Sequence, residues 1–269
     1  MMLRGVRDNQ GQVQTAVRRF QRADGRRVSV VATVHYARAE YFHGLRELIA
    51  GWEAAGAVVH CEGARPQPVG DDPVESTPLE AELAARWKQA EDRMRQCAPA
   101  HGYASQTELV LDRWRSYDLT RLQMVQLLDA QQARTLVDSY EALANDPVLF
   151  QLKNEMAARI ATSRSPLVQG LLRLTEHPIL VRRRRERFLT YLHADAQTHD
   201  VVLVAGAGHH KAICRDLRRS YQQTNLTWHT ARPSPPPLRP ILRQIRTHKA
   251  TIKIAADRSP NLTDNPAGS

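Results

Sequence analysis

Three short runs of β-branched and apolar residues constrain this chain most, because each stops on a polar side chain. Val28-Ser29-Val30-Val31-Ala32-Thr33-Val34 stops at His35, and Ala57-Val58-Val59-His60-Cys61 stops at Glu62. Val201-Val202-Leu203-Val204-Ala205 passes through Gly206-Ala207-Gly208 to His209. Near-continuous apolar runs of this length read as strands covered on both faces, a pattern that needs helices packed on a sheet. Between the first two runs, Tyr41, Leu45, Leu48, Ile49 and Trp52 mark one face of a helix closed near Gly56. Strand, helix, strand at these lengths predicts a parallel crossover.

The rest of the chain fits around that core. Gln12 to Phe20 alternates with Val13, Thr15 and Val17 on one face, and the Ala23-Asp24-Gly25 turn leads into Val28. This predicts an N-terminal hairpin. Arg65 to Thr77 reads as a loop, and from about 78 to 199 the pattern is helical, with breaks near Pro99, Gly102, Asp146-Pro147, Ser163–Pro166 and Pro178. After His209 an amphipathic helix runs to about Tyr221, and Leu226-Thr227-Trp228 reads as one more short strand. The expected class is α/β, a central mixed sheet with an N-terminal hairpin and a long helical insertion between the two His-bearing halves. Residues 1–230 would form this domain. Residues 231–269, opening on Pro233-Ser234-Pro235-Pro236-Pro237, would form a basic, partly disordered tail.

The polar residues at the strand ends are the candidates for chemistry, since open α/β sheets bind ligands at the carboxyl ends of their strands. His35, His209 and Glu62 together have the donor types that hold a divalent transition metal. Each residue also has an ordinary structural use, such as a hydrogen-bonded imidazole or a paired carboxylate. His60 lies on the same strand face as Glu62, as a ligand, a hydrogen-bonding partner or a packing residue. Downstream of Pro178, the residues Val181, Phe188 and Leu192 form a stripe at helical spacing. Arg184 and Arg185 flank that stripe, while Arg182, Arg183 and Arg187 point away from it. An arginine in the position of Arg184 either pairs with a carboxylate or reaches an oxyanion.

Other classes are excluded by what the chain lacks. Gly206-Ala207-Gly208 is followed by Lys211 where a dinucleotide fingerprint needs glycine, and no P-loop ending, GxSxG, HExxH or CxxC is present. Cys61, Cys97 and Cys214 are too scattered for a disulfide framework. No apolar run approaches a membrane span and the first residues contain no apolar signal region, and with so few and scattered cysteines a reducing cytoplasm is the expected home. The net charge of +10 is partly terminal, with seven Lys/Arg against two Asp from Ala231 onward. A nucleic-acid partner ranks last on this pattern, because no aromatic residues interleave with the charge.

Taken together, these pieces resemble the TIKI/TraB/GumN family. That family has a hairpin leading to a Gly-x-x-His motif, a helix, a strand ending in Glu, a helical middle, an Arg-Asn pair on a helix and a second Gly-x-x-His motif. Here the second motif stands as Gly206-Ala207-Gly208-His209, and the first as Ala32-Thr33-Val34-His35 with Ala in place of Gly. Arg184 matches the family's arginine, with Arg185 in place of Asn. The likeness spans roughly Val13 to Thr230. It implies a metal-dependent hydrolase of a peptide or amide bond, using an ion such as Mn²⁺, Co²⁺ or Zn²⁺. His35 and His209 would be metal ligands, Glu62 a third ligand or the general base, and Arg184 an oxyanion or orienting contact. The substrate would be a peptide or small molecule. The rival expectation is a catalytically silent binding protein or scaffold of the same fold.

Overall fold

A computed structural model describes residues 5–63, 75–162 and 177–233. The break at Ser163–Pro166, most of the Arg65–Thr77 loop and the tail beyond Pro233 lie outside them. In order, the elements are β1 (Val6–Asn9), β2 (Gln12–Gln21), β3 (Arg27–Thr33), β4 (Tyr36–Ala37), α1 (Ala39–Ala54), β5 (Val58–Cys61) and α2 (Pro78–Cys97). There follow β6 (Ala104–Ser105), β7 (Arg115–Ser116), α3 (Arg121–Gln126), α4 (Ala130–Asn145) and α5 (Pro147–Thr162). The described chain closes with α6 (Pro178–Asp195), β8 (Val201–Gly206), α7 (Ala207–Leu217) and β9 (Gln222–Pro233).

Among the described residues, seven strands form one mixed sheet. β2 and β3 are the expected hairpin, paired antiparallel from Val17↔Val31 to Gln21↔Arg27. β9 pairs with β2 along its whole length, so β1 and β3 share the opposite edge of β2. The other half of the sheet is parallel, in the order β3, β8, β5, β7. The predicted crossover from β3 through α1 to β5 is present, with β8 inserted between the two strands it joins.

The three apolar runs are buried because helices cover both sheet faces. Val31, Val59, Cys61, Val202 and Val204 pack against Tyr41, Phe42, Leu45 and Ile49 of α1. Val28, Val30, Val201, Leu203 and Ala205 pack against Phe188 and Leu192 of α6 and Ile213, Cys214 and Leu217 of α7. The helical middle has its own apolar centre, where Leu83 and Trp87 of α2 meet Met124 and Val125 of α3, Ala133 and Val137 of α4 and Leu180 of α6. Local sequence fixes where these helices start. Thr77, Thr120 and Asp129 each close a capping box with the residue three positions on, satisfying amides that the helix itself leaves open.

The structure departs from the sequence expectation in four places. The helical middle is interrupted between Ala98 and Thr120, where β7 joins the sheet edge beside β5 and β6 pairs with β4. Two-residue strands carry too short a pattern to be read from sequence. β9 spans twelve residues rather than three and runs through Ala231 and Arg232, both buried, so the sheet extends past position 230. α7 ends at Leu217 rather than near Tyr221. Arg187 does not point away, because its Nε donates to the Tyr117 carbonyl at 2.8 Å.

Leu203 lies at the centre of the layer under α6 and α7 and is fully buried. Its truncation to Ala is expected to cost about 2–5 kcal/mol. Urea denaturation should show this as a lower midpoint with unchanged slope.

Candidate active site

α6 packs on the sheet through one edge of residues, and charged groups tie both of its ends to β5 and β7. Arg184, Phe188, Leu192 and Asp195 recur at helical spacing. His60 and Glu62 both point to the α6 side of the sheet, since His60 is in register with Leu203 and the two side chains alternate across one residue. Near the C-terminus of α6, Asp195 Oδ2 accepts from His60 Nε2 at 2.7 Å and from Arg115 Nη1 at 2.7 Å. The Tyr117 ring packs edge-on against His60 and stacks on Tyr191, at 4.7 and 4.0 Å between centroids. His60 is therefore a hydrogen-bonding partner and not part of the strand-end cluster.

At the N-terminal half of α6, Arg184 enters the strand-end site. Its Nη2 donates to Glu62 Oε1 at 2.6 Å and to Asp118 Oδ2 at 2.6 Å, and its Nε donates to Asp118 Oδ1 at 2.8 Å. Nη1 lies 3.4 Å from His209 Nε2. The two carboxylates are almost completely buried, at 4% and 1% side-chain exposure, whereas Arg184 keeps 21%. The cluster thus opens to solvent along the guanidinium. Backbone donors complete the carboxylates: Gly206 N–H binds Glu62 Oε2, Gly63 N–H binds Asp118 Oδ2 at 3.1 Å, and Leu119 N–H binds Asp118 Oδ1 at 2.8 Å.

Asp118 is the residue that sequence reasoning missed. It follows β7, a strand too short to be seen, and no apolar run leads to it. The one available signal was the flanking position of Arg184, which called for a carboxylate without saying which. Glycine at 206 has a local reason, since a Cβ there would lie 2.9 Å from Glu62 Oε2.

His209 stands in the first turn of α7, 4% exposed, with its ring edge-on to Phe188 at 5.8 Å. Its Nε2 is 3.6 Å from Glu62 Oε1. The same Nε2 thus faces both the Arg184 guanidinium and the Glu62 carboxylate. The ring's Nδ1 is buried with no hydrogen-bond partner. A buried nitrogen left without a partner costs about 1–3 kcal/mol. His35 is exposed just beyond the end of β3, and its carbonyl accepts from Gln106 N–H at 2.8 Å. It lies close enough to Glu62 for its charge to act on the carboxylate.

Burial alone would raise the Glu62 carboxyl. Arg184, then His209 and His35, outweigh burial and hold it well below the ordinary 4.5.

The structure therefore brings Glu62, Arg184 and His209 together and leaves His35 at the rim. The donor types of Glu62, His209 and His35 suit a transition metal. Among the described residues, no three His, Cys, Asp or Glu side chains are grouped to hold an ion. The cation beside Glu62 is the guanidinium. Of the three expected metal ligands, Glu62 and His209 meet, with Nε2 3.6 Å from Oε1. Comparison with known proteins finds no matching family model, no matching curated protein and no matching solved structure.

Replacing Arg184 with Met keeps the bulk and strands two buried carboxylates, an expected loss of about 3–5 kcal/mol. Adding Glu62→Gln and Asp118→Asn to that variant should recover part of the loss, and chemical denaturation of the single and triple variants checks both. The depressed Glu62 carboxyl makes the cluster's stabilisation fully present above about pH 4.5, and it is lost as pH falls from there through the folded-state value. Glu62→Gln should flatten the acid limb of a stability-versus-pH curve.

Proposed function

We propose that this protein is a hydrolase of peptide or amide bonds, with its site at the C-terminal ends of β3, β5 and β8. The meeting of Glu62, Arg184 and His209, distant in sequence, within one partly open cluster carries this reading. The TIKI/TraB/GumN resemblance supports it, since these residues occupy that family's motif positions.

Arg184 is the electrophilic group. Two carboxylates hold its plane rigid, and Nη1, whose contact is with His209 rather than a carboxylate, is the nitrogen a substrate carbonyl oxygen can share. His35 is the imidazole that water reaches freely, and it acts as general base. It takes one proton from water as the water oxygen bonds to the carbonyl carbon. The oxyanion that forms lies against Arg184. When the C–N bond breaks, His35 returns the proton to the leaving nitrogen, giving a carboxylic acid and an amine. Glu62 keeps Arg184 in place and stands beside His209.

One observation favours a second reading. The buried cluster sets two carboxylates against one guanidinium, and the residual negative charge would welcome a further cation at His209 Nε2 and Glu62 Oε1.

The test is hydrolysis of a mixed peptide, amide and ester library followed by mass spectrometry, before and after EDTA treatment and with Mn²⁺ added back. Turnover is expected to survive EDTA, to fall about 100-fold or more in His35→Ala, and to fall by a similar factor in Arg184→Lys. Turnover that EDTA abolishes and Mn²⁺ restores would establish the divalent-ion reading instead. A folded protein that cleaves nothing in the library overturns the hydrolase and leaves the silent scaffold.

A further inference from the structure

We propose that the solvent face of α6 and α7 binds the phosphate backbone of duplex nucleic acid. This surface lies on the side of both helices away from the sheet and is independent of the hydrolytic reading. α6 and α7 cover the same sheet face, and Arg185 Nε reaches Asp216 Oδ2 at 3.6 Å to join them. The fold thereby places Arg182 and Arg185 of one helix beside Lys211 and Arg215 of the other, with Arg219 just past its end, while Arg183 lies round α6 on the groove lined by Leu119, Gln123 and Leu127.

The acids on this surface are already engaged. Asp216 lies 3.6 Å from both Arg185 and Arg215 and 4.0 Å from Arg219. Glu186 lies 3.7 Å from Arg182 and 3.4 Å from Arg183. Four arginines of this face, with Arg183 round the helix, thus share two carboxylates, and exposed Lys211 adds to the positive surplus. Arg215 and Arg219 remain 60% and 76% exposed, so they are free to turn toward a partner.

Four features select the partner. The cations are mostly arginine, whose planar fork matches phosphate oxygens in pairs. An α6 of 18 residues extends about 27 Å, long enough to follow a duplex that carries one charge per about 1.7 Å. Among the described residues the exposed large hydrophobic is Val148, on α5 and not on this face, so nothing here would insert into a lipid surface. The nearby rings are occupied, Tyr191 stacked on Tyr117 and His193 on Tyr221, which leaves no free platform for unpaired bases.

The experiment is fluorescence anisotropy of the full chain with labelled duplex DNA and duplex RNA across a NaCl series. Four to five phosphate contacts predict a slope of log affinity against log salt of about −4. Neutralising three exposed cations in Arg182→Gln/Arg215→Gln/Arg219→Gln should weaken binding about 30-fold or more and make the slope shallower by about 2.7. An unchanged thermal melt confirms that this variant folds. In the full chain, Arg243→Gln/Arg246→Gln/Lys249→Gln should bind like the parent. The inference fails if the helix variant binds as the parent does, if the C-terminal variant alone abolishes binding, or if polyglutamate competes as well as duplex.

Discussion

A single guanidinium held between two buried carboxylates organises this molecule. Arg184 comes from α6, Glu62 from the end of β5, and Asp118 from the segment that leaves β7. None of the three charges would be tolerated alone where it lies, because a desolvated ion without a partner costs several kcal/mol. Each is therefore a condition for the other two. The pairing fixes how far α6 slides along the sheet, and the Asp195–His60–Arg115 contacts hold the far end of the same helix against the same two strands. Between these anchors Phe188 and Leu192 bury apolar area against β8. Polar contacts set the register, and burial supplies most of the adhesion.

The same cluster explains why the strand ends are chemically distinctive. The parallel half of the sheet is apolar on both faces until the strands stop, and there the chain must receive carboxylates, imidazoles and backbone amides together. Most of those groups are satisfied: Glu62 and Asp118 each combine a guanidinium with a backbone N–H, and Glu62 closes on Gly206 so tightly that no side chain fits there. His209 Nδ1 is the unsatisfied member.

Charge on this protein has two separate uses. Inside, Arg184 neutralises carboxylates and aims a donor at the site. Outside, the arginines of α6 and α7 exceed the acids around them and face solvent. Neighbouring residues of one helix, Arg184 and Arg185, serve the two sides, because one step along a helix turns the side chain by about a quarter turn.

Much of this was legible in the linear chain. The three apolar runs, the hairpin, α1, α6 and the glycine turn before His209 announced themselves, since hydrophobic periodicity, turn residues and helix starts are local properties. So did Glu62, His209 and Arg184 as candidates, each marked by a polar side chain at the end or edge of an apolar stripe. What tertiary structure alone decided was the insertion of β8 between β3 and β5, the addition of β7 to the sheet edge, the full length of β9 and the identity of Asp118 as the partner of Arg184. These are pairings between segments far apart in the chain. A local pattern states what a residue needs, whether burial, a counter-charge or a backbone partner, and only the folded chain decides which distant group supplies it.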